Sequence, residues 1–311
     1  MRSALCALRG KYMFEEFIYR LIRIILKGMS YIPIRIAQVI GKCIGLFAYL
    51  IPMSRKWVAY QNILDSFGND LTEAGARKLL RKVYMHFGQM LFEIPHIMRL
   101  DLQNIHNYMT FQGGENLKKA EKKGKGTLFL TAHLGNWEFM STGGALYYGD
   151  SIVVARHSDF APLDRIINEI RGHFGTEIIE AQGAMRQLLT ALKHGGRIGI
   201  LLDQNVDWYQ GAFVPFFGRR ACTNKGLALM ALKTGTPVIP IFSSRDGDGI
   251  HRVVFGEEVE LLKTGDKTRD VEDNTALFTG VIESYIRNHP DQWFWFHKRW
   301  KTKNYCPWIQ Q

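Results

Sequence analysis

From about Gly113 onward, short apolar runs alternate with stretches of helical length, and this alternation limits the fold more than any other feature of the chain. The candidate strands are 127–132, 151–155, 176–180, 197–202, 236–242 and 251–255. Brief apolar runs of this length mark strands buried on both faces. Helix-length stretches at 136–148, 160–174, 183–195 and 223–234 separate most of them, and 267–289 reads as a closing helix. Strands joined through helices run parallel, because the crossover carries the chain back to the end of the sheet from which it left. The expected fold is therefore α/β, a mostly parallel (mixed) sheet flanked by helices. A composition of 46% hydrophobic and 12% aromatic residues, with only 9 prolines, excludes a disordered chain.

Open sheets of this kind form their sites at the carboxyl ends of strands. Four candidate strands end in conspicuous polar groups: His133 after Ala132, Arg156 after Ala155, Asp203-Gln204 after Leu202, and Ser243-Ser244 after Phe242. In GTLFLTAHLGNWE (126–138) a buried strand runs into His133, Gly135 and Asn136 permit a tight turn, and Trp137-Glu138 opens a helix. A histidine so placed, with a carboxylate five residues on, is a candidate general base with its orienting partner. The spacing alone carries little, since His96 and Asp101 share it. That second pair falls in the long helical segment expected over Thr72–Leu100, where positions i and i+5 point roughly 140° apart. His133 and Glu138 instead straddle a strand–turn–helix junction that can bring them together. The competing reading of His133 is a hydrogen-bonded structural histidine.

The net charge of +11 suggests a nucleic-acid partner, but its distribution does not. Residues 1–56 hold ten Lys/Arg against two acids, a net of +8, which leaves +3 for the other 255 residues. The excess coincides with the most hydrophobic helices, as an anionic membrane surface requires. Over Phe17–Lys27, Arg20, Arg23 and Lys27 share one face and Phe17, Ile18, Leu21, Ile24 and Ile25 fill the others, giving a basic amphipathic helix. A second helix is expected from about Pro33 to Ile51. Its longest uncharged run, 43–54, has 12 residues against the roughly 20 needed to span a bilayer. Residues 1–56 are therefore expected to lie on the membrane as an anchor, with a bilayer span from Ile36, in which Lys42 would be the only charge, and a buried helix pair as the alternatives, and 57–311 to form the α/β domain. Cys6, Cys43, Cys222 and Cys306 have neither C-x-x-C nor zinc-like spacing and read as reduced thiols, with no metal site.

TAHLGNWE (131–138), Arg156 with Arg171 and Gly175 in 155–175, LLDQN (201–205), GAFVPFFGRRACTNKG (211–226), TGTPVIPIF (234–242) and HPDQWFWFHKRWKTK (289–303) follow one another in a telling order. Together they resemble the lipid A late (secondary) acyltransferases, the lauroyl/myristoyl transferase group of the lysophospholipid acyltransferase superfamily, over about residues 30–303. The superfamily's glycerol-phosphate members carry Asp at the place of Glu138 and a Phe-Pro-Glu-Gly-Thr-Arg block where this chain has Phe213-Val-Pro-Phe-Phe-Gly218. Both departures point to the lipid A branch. The family's Tyr-Arg-Pro is Ala155-Arg156-His157 here.

The resemblance implies an O-acyltransferase that moves a fatty acyl chain from acyl carrier protein to a hydroxyl of a lipid A precursor, in Kdo-lipid A late acylation. It places the protein at the cytoplasmic face of the bacterial inner membrane. Acyl carrier protein, the glycolipid acceptor and the membrane surface are the expected partners, without nucleic acid. No cofactor is expected beyond acyl-ACP or acyl-CoA as co-substrate. The chemistry agrees: an alcohol must lose its proton as it attacks a thioester, and neutral imidazole suits that task. His133 is the expected base and Glu138 the group that fixes its tautomer. Arg156, Arg171, Asp203 and Asn136 are the expected substrate-binding residues, the two arginines gripping acceptor phosphates. Backbone N–H groups at 134–137 and Arg156 are the candidates for the oxyanion. Phe213–Phe217 either lines an acyl groove or packs the core. Trp293, Trp295 and Trp300 form either an interfacial belt or the packed end of the domain. Alternatives are an acyltransferase for another glycolipid, such as a phosphatidylinositol mannoside, using acyl-CoA, and a non-catalytic membrane-binding protein.

Overall fold

The computed structural model describes residues 2–156 and 158–302, with side chains from residue 12 onward except at 69. Cys6 and Cys306, named above, lie outside the described side chains. Four helices lead: α1 (Arg2–Ser30), α2 (Ile34–Leu50), α3 (Ser54–Phe67) and α4 (Glu73–Glu93). The helix expected to run on to Leu100 stops at Glu93, and the chain continues as a 3-10 turn over Ile94–Arg99. Pro95 explains the change, because it lacks the N–H that an α-helix needs there.

The alternating region follows in the order β1 (Met109–Gln112), α5 (Gly114–Glu121), β2 (Thr127–Thr131), α6 (Trp137–Tyr148), β3 (Ile152–Ala155), α7 (Ala161–Gly172), β4 (Glu177–Glu180), α8 (Met185–Lys193) and β5 (Arg197–Leu201). Then come β6 (Gly211–Phe216), β7 (Arg219–Asn224), α9 (Gly226–Thr234), β8 (Val238–Arg245), β9 (His251–Phe255) and α10 (Lys267–Asn288). Seven strands form one sheet in the order β1-β9-β8-β2-β5-β3-β4. Every neighbouring pair is parallel except β8 and β9, which form a hairpin. The sheet is mixed and mostly parallel, with helices covering it. Beyond the expected six strands it gains β1. The stretch 223–234 is not helical throughout, because the antiparallel hairpin β6–β7 occupies its start and α9 begins only at Gly226.

All five residues of β2 are buried, and β2 pairs with β5 on one side and β8 on the other. The sheet therefore grows in both directions from β2, so the carboxyl ends of β2 and β5 lie side by side. A ligand crevice forms where the order reverses in this way.

α2 packs on α4 through glycines. A Cβ at Gly41 would sit 2.5 Å from the Gly88 carbonyl oxygen, and one at Gly88 would collide with the Gly41 carbonyl. The opposite face of α2 exposes Ile36, Val39, Ile40, Ile44, Phe47 and Leu50. Among the described residues no single helix is long and apolar enough to cross a membrane; α2 and α3 together reach that length and composition but are bent by 95°. Gly88→Ala is expected to cost about 1–3 kcal/mol by overpacking this contact, read as a lower denaturation midpoint. An unchanged midpoint would mean that α2 separates from α4 freely.

Candidate active site

His133 follows β2 by two residues, and its Nδ1 lies 2.8 Å from Oδ1 of Asp203, which follows β5 by two residues. Asp203 Oδ2 also accepts the His133 backbone N–H (3.0 Å) and the Trp293 indole N–H (2.7 Å). Burial alone would push the Asp203 carboxyl up; His133 beside it, with the hydrogen bonds from His133 and Trp293, holds it at about 2. An ionised carboxylate only accepts, so Nδ1 carries the proton, and in the neutral ring Nε2 is the nitrogen with the lone pair. The Gln204 amide nitrogen stands 3.2 Å from that Nε2. The imidazole ring is wedged by Trp137 and Phe294, with ring centroids 4.9 and 6.3 Å away.

Glu138, in the first turn of α6, faces elsewhere. Its oxygens accept from Arg171 Nε at 2.9 Å and Nη2 at 2.5 Å, and from the Trp137 indole at 3.1 Å. Burial alone would lower the Arg171 guanidinium, and the pairing with Glu138 raises it above its ordinary value. The hydrogen bond to Nδ1 expected from Glu138 is thus made by Asp203, and Glu138 bonds Arg171 instead. The reason is topological: β5 lies beside β2, and the helix bearing Glu138 turns that side chain toward α7.

The other expected residues divide. Arg156 is exposed, pairs with Asp159 at 3.0 Å, and shares the mouth of one cavity with Arg171, Glu138 and His133. Asn136 does not reach that cavity. It is fully buried, its side-chain oxygen caps α6 by accepting the Phe139 N–H, and its amide donates to Glu93. Asp203 is likewise an inward group, with both oxygens on His133 and Trp293. Of the oxyanion candidates, the Leu134 and Gly135 N–H groups already bond the Ala132 and Gln292 carbonyls. Ser243 is buried within β8, which continues to Arg245, so the fourth polar strand end does not join the site. His96 is engaged by the Glu93 and Ile32 carbonyls, clear of any part in this chemistry.

The cavity measures about 380 Å³ and runs from His133 between the sheet and α6. Phe213–Phe217 does not line it. Phe216 and Phe217 are buried against Trp293, Trp295 and Trp300, so these two phenylalanines and the first two tryptophans are core, while Phe213 is half-buried and Pro215 exposed.

Beneath the turn lies a buried network that the sequence pattern did not reveal. Glu93 of α4, fully buried, takes two bonds from Arg245 (2.8 and 2.6 Å), one from Gln38 of α2 (2.8 Å) and one from Asn136 (3.1 Å). His251 Nε2 is 3.1 Å away. Burial alone would raise the Glu93 carboxyl, and His251 with Arg245 pulls it well below its usual range. His86, beside Arg245, reaches the Gly135 carbonyl at 3.2 Å and is driven down by burial. These residues are up to 213 positions apart, from Gln38 to His251, so no local spacing could announce them. Glu93→Gln strands the Arg245 charge and is expected to cost about 3–5 kcal/mol in a denaturant melt, whereas replacing both partners with apolar residues should recover most of it.

A family model described as bacterial lipid A biosynthesis acyltransferase matches residues 11–302. A lipid A biosynthesis acyltransferase of Haemophilus influenzae is 22% identical over 277 residues, 88% of this chain and 85% of the relative. The lipid A biosynthesis lauroyltransferase of Escherichia coli is 23% identical over 278 residues, covering 88% and 87%. A phosphatidylinositol mannoside acyltransferase of Mycolicibacterium smegmatis is 25% identical over 190 residues, 60% of each chain.

Proposed function

Given that the chain belongs to the bacterial lipid A biosynthesis acyltransferase family and is an acyltransferase, we propose that it moves a fatty acyl chain from acyl carrier protein to a hydroxyl of a lipid A precursor, working on the cytoplasmic face of the inner membrane. The observation that carries this reading is His133 at the lip of a deep, mostly apolar cavity, its Nδ1 proton committed to a buried carboxylate.

In the reaction the acceptor hydroxyl lies against Nε2 of His133, displacing the Gln204 amide. Its oxygen bonds to the thioester carbonyl carbon as Nε2 takes the proton, and Asp203 stabilises the resulting imidazolium. The tetrahedral oxyanion then collapses, the carbon–sulfur bond breaks, and the imidazolium returns the proton to the departing thiolate. Arg171, fixed by Glu138, and Arg156 stand at the mouth, where they serve the oxyanion or the acceptor phosphates. The acyl tail fills the cavity.

Docking to the bilayer is assigned to α1–α3, where most of the large exposed apolar side chains lie, among them Phe14, Phe17, Ile24, Phe47, Leu50 and Trp57. Arg20, Arg23 and Lys27 beside them suit an anionic surface.

Incubating membranes with labelled acyl-ACP or acyl-CoA, and with a lipid A precursor or a phosphatidylinositol mannoside, tests the reading. Label entering the lipid A precursor from acyl-ACP is the expected result, and mass spectrometry of lipid A identifies the hydroxyl acylated. Label entering only the mannoside from acyl-CoA would replace it.

A further inference from the structure

The cavity runs the length of the strands. Arg197, Gly199 and Leu201 line it from alternate positions of β5, one face of that strand. By the rise of a strand, these four steps cover about 13 Å, room for on the order of ten extended methylenes. On the helix side, Trp137, Ser141, Gly144, Ala145 and Tyr148 form one stripe of α6. Apolar wall thus gives way, at the far end, to charge.

At that end stands Arg197. Arg197 donates from Nε to Glu121 at 2.7 Å, and it also donates to the Tyr148 carbonyl oxygen. The same arginine lines a hollow on the outer surface beside Glu121, Asp150 and His194. Among the described residues it alone belongs to both linings, so the Arg197–Glu121 pair stands between the cavity and solvent. Half-way along, Gly144 leaves a gap: a Cβ built there meets nothing within 4 Å. The neighbouring Gly143 is different, since a Cβ there would press on Met109.

We propose that the Arg197–Glu121 ion pair is the end-stop of the acyl channel and that the bare position at Gly144 sets its bore, so that these residues fix the length of chain transferred. This rests on the cavity holding the acyl tail, as in the function proposed above. A methylene too many in a closed apolar pocket is discriminated by about 10–200-fold, which is enough to make a sharp length limit.

The test is a ladder of saturated acyl thioesters of increasing length, offered to the full chain with a lipid A precursor, on acyl carrier protein and on CoA in parallel. The two carriers separate donor preference from length preference. Gly144→Leu is expected to lower kcat/KM for the longest accepted chains at least about tenfold relative to short ones. Arg197→Ala and Glu121→Ala, which open the end, are expected to shift preference the other way and admit chains that the unaltered protein refuses. Gly144→Ala guards against misfolding, since alanine is favoured over glycine inside a helix. Opposite shifts from the two kinds of variant support the end-stop. Equal losses at every chain length, or an unchanged profile in Gly144→Leu, overturn it, even where acyl transfer itself is established.

Discussion

His133→Ala lowers acyl transfer by about 10²–10⁴-fold, equivalent to roughly 3–5 kcal/mol of barrier, while the protein folds and binds membranes as before. This is the expected result because, among the described residues lining the cavity, His133 is the one histidine, and its lone pair has a fixed direction. Nε2 is left as an acceptor by the proton held on Nδ1, and the ring is clamped by Asp203, Trp137 and Phe294. The side chain is partly open to the cavity, so its loss removes a reacting group and little packing. Purified variant and parent are compared in initial rates, with thermal melts to show equal folding. Turnover near the parental rate would remove His133 from the role of base.

Asp203→Asn is expected to reduce the rate by a comparable factor, on the order of 10²–10⁴. An asparagine amide can donate to Nδ1, which moves the imidazole proton to Nε2 and leaves the acceptor alcohol without a base. The same change affects the fold. Asp203 has a folded pKa near 2 against an ordinary 3.8, so its contribution to stability is present above about pH 4 and lost as pH falls toward 2. In Asp203→Asn that portion of the acid sensitivity should vanish from a pH series of denaturation midpoints. Glu138→Gln is the control that distinguishes the two carboxylates. It weakens the hold on Arg171 and should leave the imidazole tautomer alone. Near-normal turnover in Asp203→Asn, with Glu138→Gln inactive, would return the orienting role to Glu138.

How much of this was legible beforehand depends on the distance along the chain over which each interaction acts. The strand candidates at 127–132 and 251–255 correspond to β2 and β9 almost to the residue, because a buried strand is a local run of apolar side chains. β1 and the β6–β7 hairpin were missed. Met109–Gln112 alternates apolar and polar residues over only four positions, and four of the six residues of Arg219–Asn224 are polar, so neither carries an apolar run to detect. The decoy at His96 could be set aside because helix geometry is local too.

The site was half legible for the same reason. The sequence by itself determined that His133 ends a buried strand, that Arg156 and Asp203 end others, and that basic and apolar residues share the N-terminal helices. Each statement concerns neighbours in the chain. Only the tertiary structure decided which strand ends meet. β5 lies next to β2, and β3 and β4, though earlier in the chain, lie outside it; that order brings Asp203 to His133 across 70 positions and turns Glu138 to Arg171 across 33. The same order decided that Phe216 and Trp293 pack the core, that Glu93 and Arg245 brace the turn from below, and that an arginine at the start of β5 lines the same cavity as the histidine after β2. Strand order follows from burying all the apolar faces at once, and no single stretch of sequence contains that condition.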